Sequence, residues 1–189
     1  MSYFPAFLRF DDKKILIIGG GKIANEKLDH LLDFSTNITI IAKEINSNIE
    51  MLIDKHFLKS FKKAYETDDL KGYDIVIVAI DDIVLQEEIY TQTRSLNLLC
   101  NCVDLPHCCD FIFPSYIKKG DLTIAVSTSG ASPAMAKQLR IYLSELVPDS
   151  IVDFLQQMRQ YRKTMPKGIE RMRFLEEKAK NYISTWKLK

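Results

Sequence analysis

The chain has 189 residues, of which 47% are hydrophobic and 27% charged, and its formal net charge is +1. This is the composition of an ordinary globular protein, and so balanced a charge gives no reason to expect a nucleic-acid partner. No apolar run approaches the ~20 residues of a membrane-spanning helix, and the N-terminus lacks the features of a signal peptide. We therefore expect a cytoplasmic protein with its four cysteines reduced.

The first informative segment covers residues 14–27 and reads KILIIGGGKIANEK. A buried strand that ends in a glycine turn and opens a helix is typical of sites that hold a pyrophosphate on the helix N-terminus. The spacing is Gly19-x-Gly21-x-x-Ala24, with alanine at the position that only has to let helix and strand pack closely. Glycine turns also join strands and helices that bind nothing, so the motif alone leaves both interpretations open.

Strands and helices then alternate up to about residue 110. Hydrophobic patterns predict helices at residues 23–34 and 82–96, either a helix or a loop at 49–55, and strands at 15–18, 37–42, 58–64, 73–80 and 98–103. The run at 73–80 is nearly all apolar, which indicates a central strand covered on both faces. This alternation predicts an α/β fold with a Rossmann-like, mostly parallel sheet.

The pattern changes after Asp110. Two strands are predicted at residues 111–117 and 122–127 with a polar turn at 118–121, and Ser132-Pro133 opens a helix that runs to about Leu146. Amphipathic helices follow at 151–161 and 168–186. Residues 149–189 hold ten Lys/Arg and five Asp/Glu, a net charge of +5 that suits either an anionic ligand or a solvated surface. We expect a small α+β region followed by a helical C-terminal region.

Charged residues follow two of the predicted strands. Glu44 stands one or two positions later than the acid that usually binds the adenosine ribose, and Lys43 could instead meet a phosphate. The choice between NAD and NADP is therefore open on physical grounds. Asp81 and Asp82 follow the central strand, where they could border the nicotinamide, or Asp82 could cap the next helix.

The segment Asn101-Cys102-Val103-Asp104-Leu105-Pro106 places a carboxylate at the end of a strand. A carboxylate beside a cofactor can take a proton while hydride leaves, although a turn-forming aspartate has the same sequence signature. The neighbouring cysteines at 100, 102, 108 and 109 do not have the paired spacing of zinc sites, and we predict no metal. His107 could assist Asp104 or face solvent.

Residues 127–133 read STSGASP and gather hydroxyls just before a helix. Such a turn offers backbone N–H groups and a positive dipole to a carboxylate or phosphate, and it also makes a well-capped helix start. Arg140 follows on that helix, and a polycarboxylate substrate would use such cations. We predict a substrate-binding set of Thr128, Ser129, Ser132 and Arg140.

Taken together, these segments resemble the dehydrogenase–chelatase proteins of sirohaem synthesis, which include precorrin-2 dehydrogenases and the N-terminal half of multifunctional sirohaem synthases. The resemblance covers about residues 1–148 and rests on YFP at the start, IGGGKIANEK, NCVDLP, FIFPS and LTIAVSTSGASPAMAKQLR. It implies NAD-linked oxidation of precorrin-2 to sirohydrochlorin, with ferrous iron insertion as a second activity of some members. It also implies catalysis by Asp104, and NAD binding by Gly19, Gly21, Lys22, Ile23, Lys43 and Glu44, to which we add Asp81.

The resemblance further implies a homodimer and a division of the chain by role. We expect an NAD-binding Rossmann domain at residues 1–112, a dimerisation region at 113–148 and a substrate-covering helical region at 149–189. Two departures matter: Thr128 replaces a serine that can carry phosphate, and the chain leaves no room for a methyltransferase domain.

Two other classes of protein fit the residues less well. A short-chain dehydrogenase is disfavoured because no tyrosine has a lysine four residues later. An NAD(H)-sensing regulatory module would keep the glycine turn, but it would not need the NCVDLP and STSGASP segments.

Overall fold

The computed structural model describes residues 3–186, which form two compact units. The N-terminal unit spans Phe4–Ile112, and the C-terminal unit contains residues 113–186 together with Tyr3. Within the described residues, no helix combines the length and apolarity needed to cross a membrane. The division by role at residues 112 and 148 stays a prediction, because compactness does not assign roles.

A five-stranded parallel sheet forms the centre of the N-terminal unit. Its strands are β1 (Ile15–Ile18), β2 (Ile38–Ala42), β3 (Lys59–Lys62), β4 (Ile75–Val78) and β5 (Leu99–Cys102), in the spatial order β3-β2-β1-β4-β5. β1, β2 and β4 are buried along their whole length, as expected for parallel strands covered on both faces, whereas the edge strand β3 is exposed. The predicted Rossmann-like fold is confirmed. The chain order reverses between β1 and β4, where open sheets of this kind bind ligands.

Three helices connect these strands: α1 (Lys22–Leu32), α2 (Ser47–His56) and α3 (Ile83–Leu96). Residues 49–55, for which the sequence allowed a helix or a loop, lie in α2. The Asn46 side chain caps that helix by accepting a hydrogen bond from the Ile49 N–H at 2.9 Å.

An ion pair ties the segment after β5 back onto the sheet. Both terminal nitrogens of Arg94 donate to the Asp110 carboxylate, at 2.9 and 2.6 Å, and the same carboxylate accepts the Cys100 N–H at 2.8 Å. The Asn101 side chain adds a bond to the Phe111 carbonyl at 2.8 Å. Residues 109–111 are therefore held beside β5, which fixes the course of the chain that leaves Asp104.

The C-terminal unit contains an antiparallel pair, β6 (Ser115–Lys119) and β7 (Leu122–Val126), and the helices α4 (Pro133–Leu146), α5 (Ile151–Thr164) and α6 (Ile169–Ser184). β6 begins four residues later than the predicted strand at 111–117, because residues 109–111 are tied to β5. The turn is also shorter than predicted and contains Gly120 at a φ of 56°.

Polar and aromatic contacts join the elements of this unit. The Lys119 ammonium donates to the Val147 carbonyl and to the Asp149 carboxylate, both at 2.7 Å, so β6 holds the C-terminal end of α4. The rings of Phe154 and Tyr182 stack with centroids 4.0 Å apart and join α5 to α6.

Candidate functional site

The carboxyl edge of the parallel sheet borders a cavity of about 1100 Å³. Its walls come from the segments that follow all five strands, which the sheet topology brings to one edge. This volume exceeds the roughly 300–1,000 Å³ of typical small-molecule pockets, so an extended ligand fits. All the predicted cofactor residues and the predicted catalytic residue line it: Gly19, Gly21, Lys22, Ile23, Lys43, Glu44, Asp81 and Asp104.

The glycine turn packs so closely against its surroundings that two of its positions exclude a side chain. Gly19 has a φ of +128°, and a Cβ there would lie 2.1 Å from the Ala79 carbonyl oxygen. A Cβ at Gly20 would lie 2.0 Å from the Glu44 carbonyl oxygen. The first glycine thus has the expected role in the tight turn. The need for glycine at position 20 was missed, because the motif treats it as free.

Gly21 differs from the other two glycines in its surroundings. Nothing lies within 4 Å of the position that its Cβ would occupy, and it starts α1 without a capping side chain. The first N–H groups of the 11-residue helix α1 therefore border the cavity, and Gly21 has no side chain to cover them. Ala24 is 1% exposed and packs α1 on the sheet, as its place in the motif predicts. These features fit the pyrophosphate of a dinucleotide.

The side of the cavity beyond β2 carries both signs of charge. Lys43 and Glu44 are exposed there, and Lys63 and Tyr65 extend the wall after β3. The Tyr65 hydroxyl donates to the Gln92 side-chain oxygen at 2.5 Å. Burial raises the pKa of this phenol to about 12, so Tyr65 adds no charge to the cavity wall. Neither Lys63 nor Tyr65 was singled out from the sequence, because no local motif marks them.

Asp81 and Asp82 follow β4 and both line the cavity. The Asp82 carboxylate accepts the Leu85 N–H at 3.0 Å and caps α3. The two interpretations of Asp82 are therefore compatible, since the capping residue also borders the cavity.

Asp104 lies in the turn after β5 with a φ of 64°, a left-handed conformation that asparagine and aspartate tolerate better than most residues. Lys27, on α1, is half-buried in the same part of the unit. Burial lowers the pKa of the Lys27 ammonium, and the carboxylates of Glu26 and Asp104 oppose that shift. The Asp104 carboxylate thus helps to keep this partly desolvated lysine charged, a pairing that the sequence did not reveal.

The cysteines near Asp104 are part of the core and its edge. The sulfur atoms of Cys100 and Cys102 lie 3.7 Å apart on one face of β5, and both side chains are buried. Burial raises the pKa of the Cys108 thiol, and it raises that of Cys109 to about 11. No group of three metal-ligating side chains occurs within residues 3–186. His107 is exposed and pairs with Glu87 at 3.1 Å.

The predicted substrate-binding residues lie in the C-terminal unit, where hydrogen bonds organise Thr128 and Ser132. The Thr128 hydroxyl accepts the Ser132 N–H at 3.1 Å, and the Ser132 hydroxyl caps α4 by accepting the Met135 N–H at 3.2 Å. Ser129 has a φ of 50° and is exposed. Arg140 is half-buried on α4. The predicted cap and helix start are confirmed, and the binding role of these residues stays a prediction.

The fold and the cavity define a dinucleotide-binding protein of the Rossmann type. Residues 6–115 match the family described as putative NAD(P)-binding, and the chain belongs to that family. Residues 119–141 match a second family, described as the central part of a sirohaem biosynthesis protein. The predicted resemblance to proteins of sirohaem synthesis is therefore confirmed.

Similar proteins agree with this assignment. The chain is 38% identical over 148 residues to the sirohaem synthase of Methylococcus capsulatus, an alignment of 78% of this chain and 31% of that protein. It is 32% identical over 181 residues to the sirohaem synthase of Actinobacillus pleuropneumoniae, an alignment of 94% of this chain and 37% of that protein. The chain thus spans about a third of the length of these relatives. The solved structure of SirC, precorrin-2 dehydrogenase, has the same fold, with a TM-score of 0.77 and 22% sequence identity. The superposition covers 93% of this chain and 88% of the SirC chain.

Proposed function

We propose that the chain binds NAD in the cavity at the sheet edge and uses it to oxidise precorrin-2 to sirohydrochlorin. The observation that carries this proposal is that Asp104 lines the same cavity as the glycine turn, so a carboxylate and a hydride acceptor would share one space. The similarity to sirohaem synthases supports the choice of substrate, since it extends over 94% of the chain.

Each group of cavity residues has a distinct task in this proposal. The backbone N–H groups at the start of α1 hold the pyrophosphate, Gly21 leaves room for it, and Glu44 accepts hydrogen bonds from the adenosine ribose. Bound NAD⁺ supplies the hydride acceptor. Precorrin-2 loses two hydrogens: one leaves with its electron pair as hydride, and the Asp104 carboxylate accepts the other as a proton.

In this proposal, residues of the C-terminal unit bind the carboxylates of the substrate. The hydroxyls of Thr128 and Ser132 accept backbone N–H groups and can still donate their own hydrogens. With the Ser129 hydroxyl and the Arg140 guanidinium, they are suited to carboxylates. Precorrin-2 is a polycarboxylate, which also agrees with the net charge of +5 in residues 149–189.

We expect the purified protein to reduce NAD⁺ only when precorrin-2 is present, with NADH absorbance and the sirohydrochlorin spectrum rising together. NADH binding without any turnover of precorrin-2 would contradict the enzymatic proposal and favour the NAD(H)-sensing alternative. Ferrous iron insertion is tested in the same preparation, by adding Fe(II) and sirohydrochlorin anaerobically with and without protein.

We also propose that the chain forms a homodimer through the C-terminal unit. Met135, Leu139 and Tyr142 lie on one face of α4 and are 55%, 40% and 57% exposed. The adjoining sheet has only two strands, which are marginally stable without further packing. A second copy packed on this face would bury the apolar stripe.

Leu139→Glu should separate the dimer into folded monomers, because it places an unpaired charge in the proposed interface. The penalty of several kcal/mol for such a charge corresponds to at least about a 100-fold rise in the dimer dissociation constant. Light scattering coupled to size exclusion measures the mass of each species. Lys137→Glu is the matched control, on the same helix but off the stripe, and it should leave the dimer intact. Equal masses for Leu139→Glu and wild type would contradict this interface.

A cytoplasmic location is part of the proposal. The closely spaced sulfurs of Cys100 and Cys102 are free thiols, which suits a reducing compartment.

A further inference from the structure

The side of the cavity beyond β2 is where we place the adenosine ribose. One lysine on this side, Lys63, forms ion pairs with two carboxylates. Lys63 follows the edge strand β3, and its N–H donates to the Ala42 carbonyl at 3.0 Å, so its backbone lies beside the end of β2. Its ammonium contacts the Asp69 carboxylate at 2.8 Å and the Glu66 carboxylate at 3.2 Å. These hydrogen bonds, with Asp69 foremost, raise the pKa of Lys63. The ammonium is thus fully charged but already paired with carboxylates.

Both acids belong to a short, well-connected turn. A 3-10 helix covers Thr67–Leu70, and Glu66 and Asp69 cap it reciprocally, since the Glu66 N–H donates to Asp69 at 2.8 Å. The Asp69 side chain is only 15% exposed. Their positions therefore follow from the fold of this turn, and the acids form a fixed partner for Lys63.

At the cavity wall beyond β2, five charged residues carry a net charge of −1. Lys43 and Glu44 cancel each other, and the single charge of Lys63 is outweighed by the two carboxylates of Glu66 and Asp69. NADP differs from NAD by a phosphate on this ribose, and proteins that accept it provide an available cation there. A locally negative wall on which one of the two lysines, Lys63, is engaged by carboxylates disfavours that phosphate.

We propose that Asp69 and Glu66 make the site select NAD over NADP by engaging the ammonium of Lys63. The inference rests on the proposed function, because it assumes that the dinucleotide lies in this cavity with its pyrophosphate on α1. It identifies Lys63, Glu66 and Asp69 as specificity-determining residues. It gives a structural reason for NAD where Lys43 and Glu44 alone leave the choice open.

The test is binding of NADH and NADPH to the full chain, followed by nicotinamide fluorescence without substrate. Asp69→Asn keeps an oxygen that can accept the Glu66 N–H but removes the charge that holds Lys63. In Asp69→Asn we expect the ratio of NADPH to NADH affinity to rise about fivefold, because Lys63 can then form one exposed ion pair with the additional phosphate. The ratio should rise further in Asp69→Asn/Glu66→Gln. The gain should shrink at high salt, since it is electrostatic.

Two further variants make the test specific. Asp68→Asn removes a neighbouring acid that pairs with Lys71 at 2.7 Å rather than with Lys63, and it should leave the affinity ratio unchanged. Adding Lys63→Gln to Asp69→Asn should abolish the gain, because the released cation is then gone.

An unchanged ratio in both Asp69→Asn and the double acid variant, with NADH still bound, would overturn this inference and leave the proposed function standing. A gain that survives Lys63→Gln would also overturn it. Failure of the wild-type chain to bind either dinucleotide would overturn the inference and the proposed function together.

Discussion

Asp104→Asn should abolish precorrin-2 oxidation while leaving NADH binding intact. The proposed role of the carboxylate is to accept a proton as hydride leaves, and loss of a general base typically lowers the rate by about 10²–10⁴-fold. The substitution keeps the shape of the side chain, and asparagine tolerates the left-handed backbone at a φ of 64°. The measurements are kcat from NADH formation and the NADH dissociation constant from fluorescence.

The choice of asparagine matters because alanine would confuse two effects. In the left-handed region aspartate and asparagine gain local hydrogen bonds that alanine lacks, so Asp104→Ala should lose stability as well as activity. Asp104→Gly removes the backbone strain and the carboxylate together, and it should be inactive without being less stable. Asp54→Asn, an exposed acid on α2, serves as the control and should retain wild-type activity. If Asp104→Asn kept more than a tenth of the wild-type kcat, Asp104 would not be the proton acceptor.

The residues whose positions the sequence could predict are those fixed by local structure. Gly19, Gly21 and Ala24 belong to a strand–turn–helix unit whose geometry is determined within a few residues, and Asp104 follows the end of a strand. The sheet topology then brings these segments to one edge without further information. For the same reason Ser132 was predicted as a helix cap, which needs only the backbone three residues on.

The residues that the sequence could not identify depend on contacts between segments. Gly20 is required because the loop after β2 passes 2.0 Å from where its Cβ would be. Lys63 was overlooked because only the folded 3-10 turn shows that its charge is engaged. The late start of β6 depends on the pairing of Arg94 with Asp110, 16 residues away. Patterns of hydrophobicity and turn residues carry no information on such pairings.

The contrast between Gly20 and Gly21 separates folding from binding within one turn. Gly20→Ala should destabilise the protein, because its Cβ would meet the Glu44 carbonyl oxygen at 2.0 Å and both partners are backbone. The Asn46 N–H also donates to the Gly20 carbonyl at 3.0 Å, so neither loop can move away without losing this bond. Overpacking of this kind costs about 1–3 kcal/mol, which lowers the melting temperature of a chain of this size by roughly 2–12 °C.

Gly21→Ala should have the opposite profile, with a wild-type melting temperature and weak NADH binding. Its φ of −87° suits any residue, and its Cβ would meet nothing within 4 Å in the protein. The methyl group would instead occupy the approach of the pyrophosphate to the N–H groups of α1, and we expect a loss of NADH affinity of about 10- to 100-fold. Calorimetry of both glycine variants measures the melting temperature, and fluorescence titration measures the NADH affinity. Unchanged NADH affinity in a folded Gly21→Ala protein would mean that the pyrophosphate does not bind at the start of α1, and the dinucleotide would then have to lie elsewhere in the cavity.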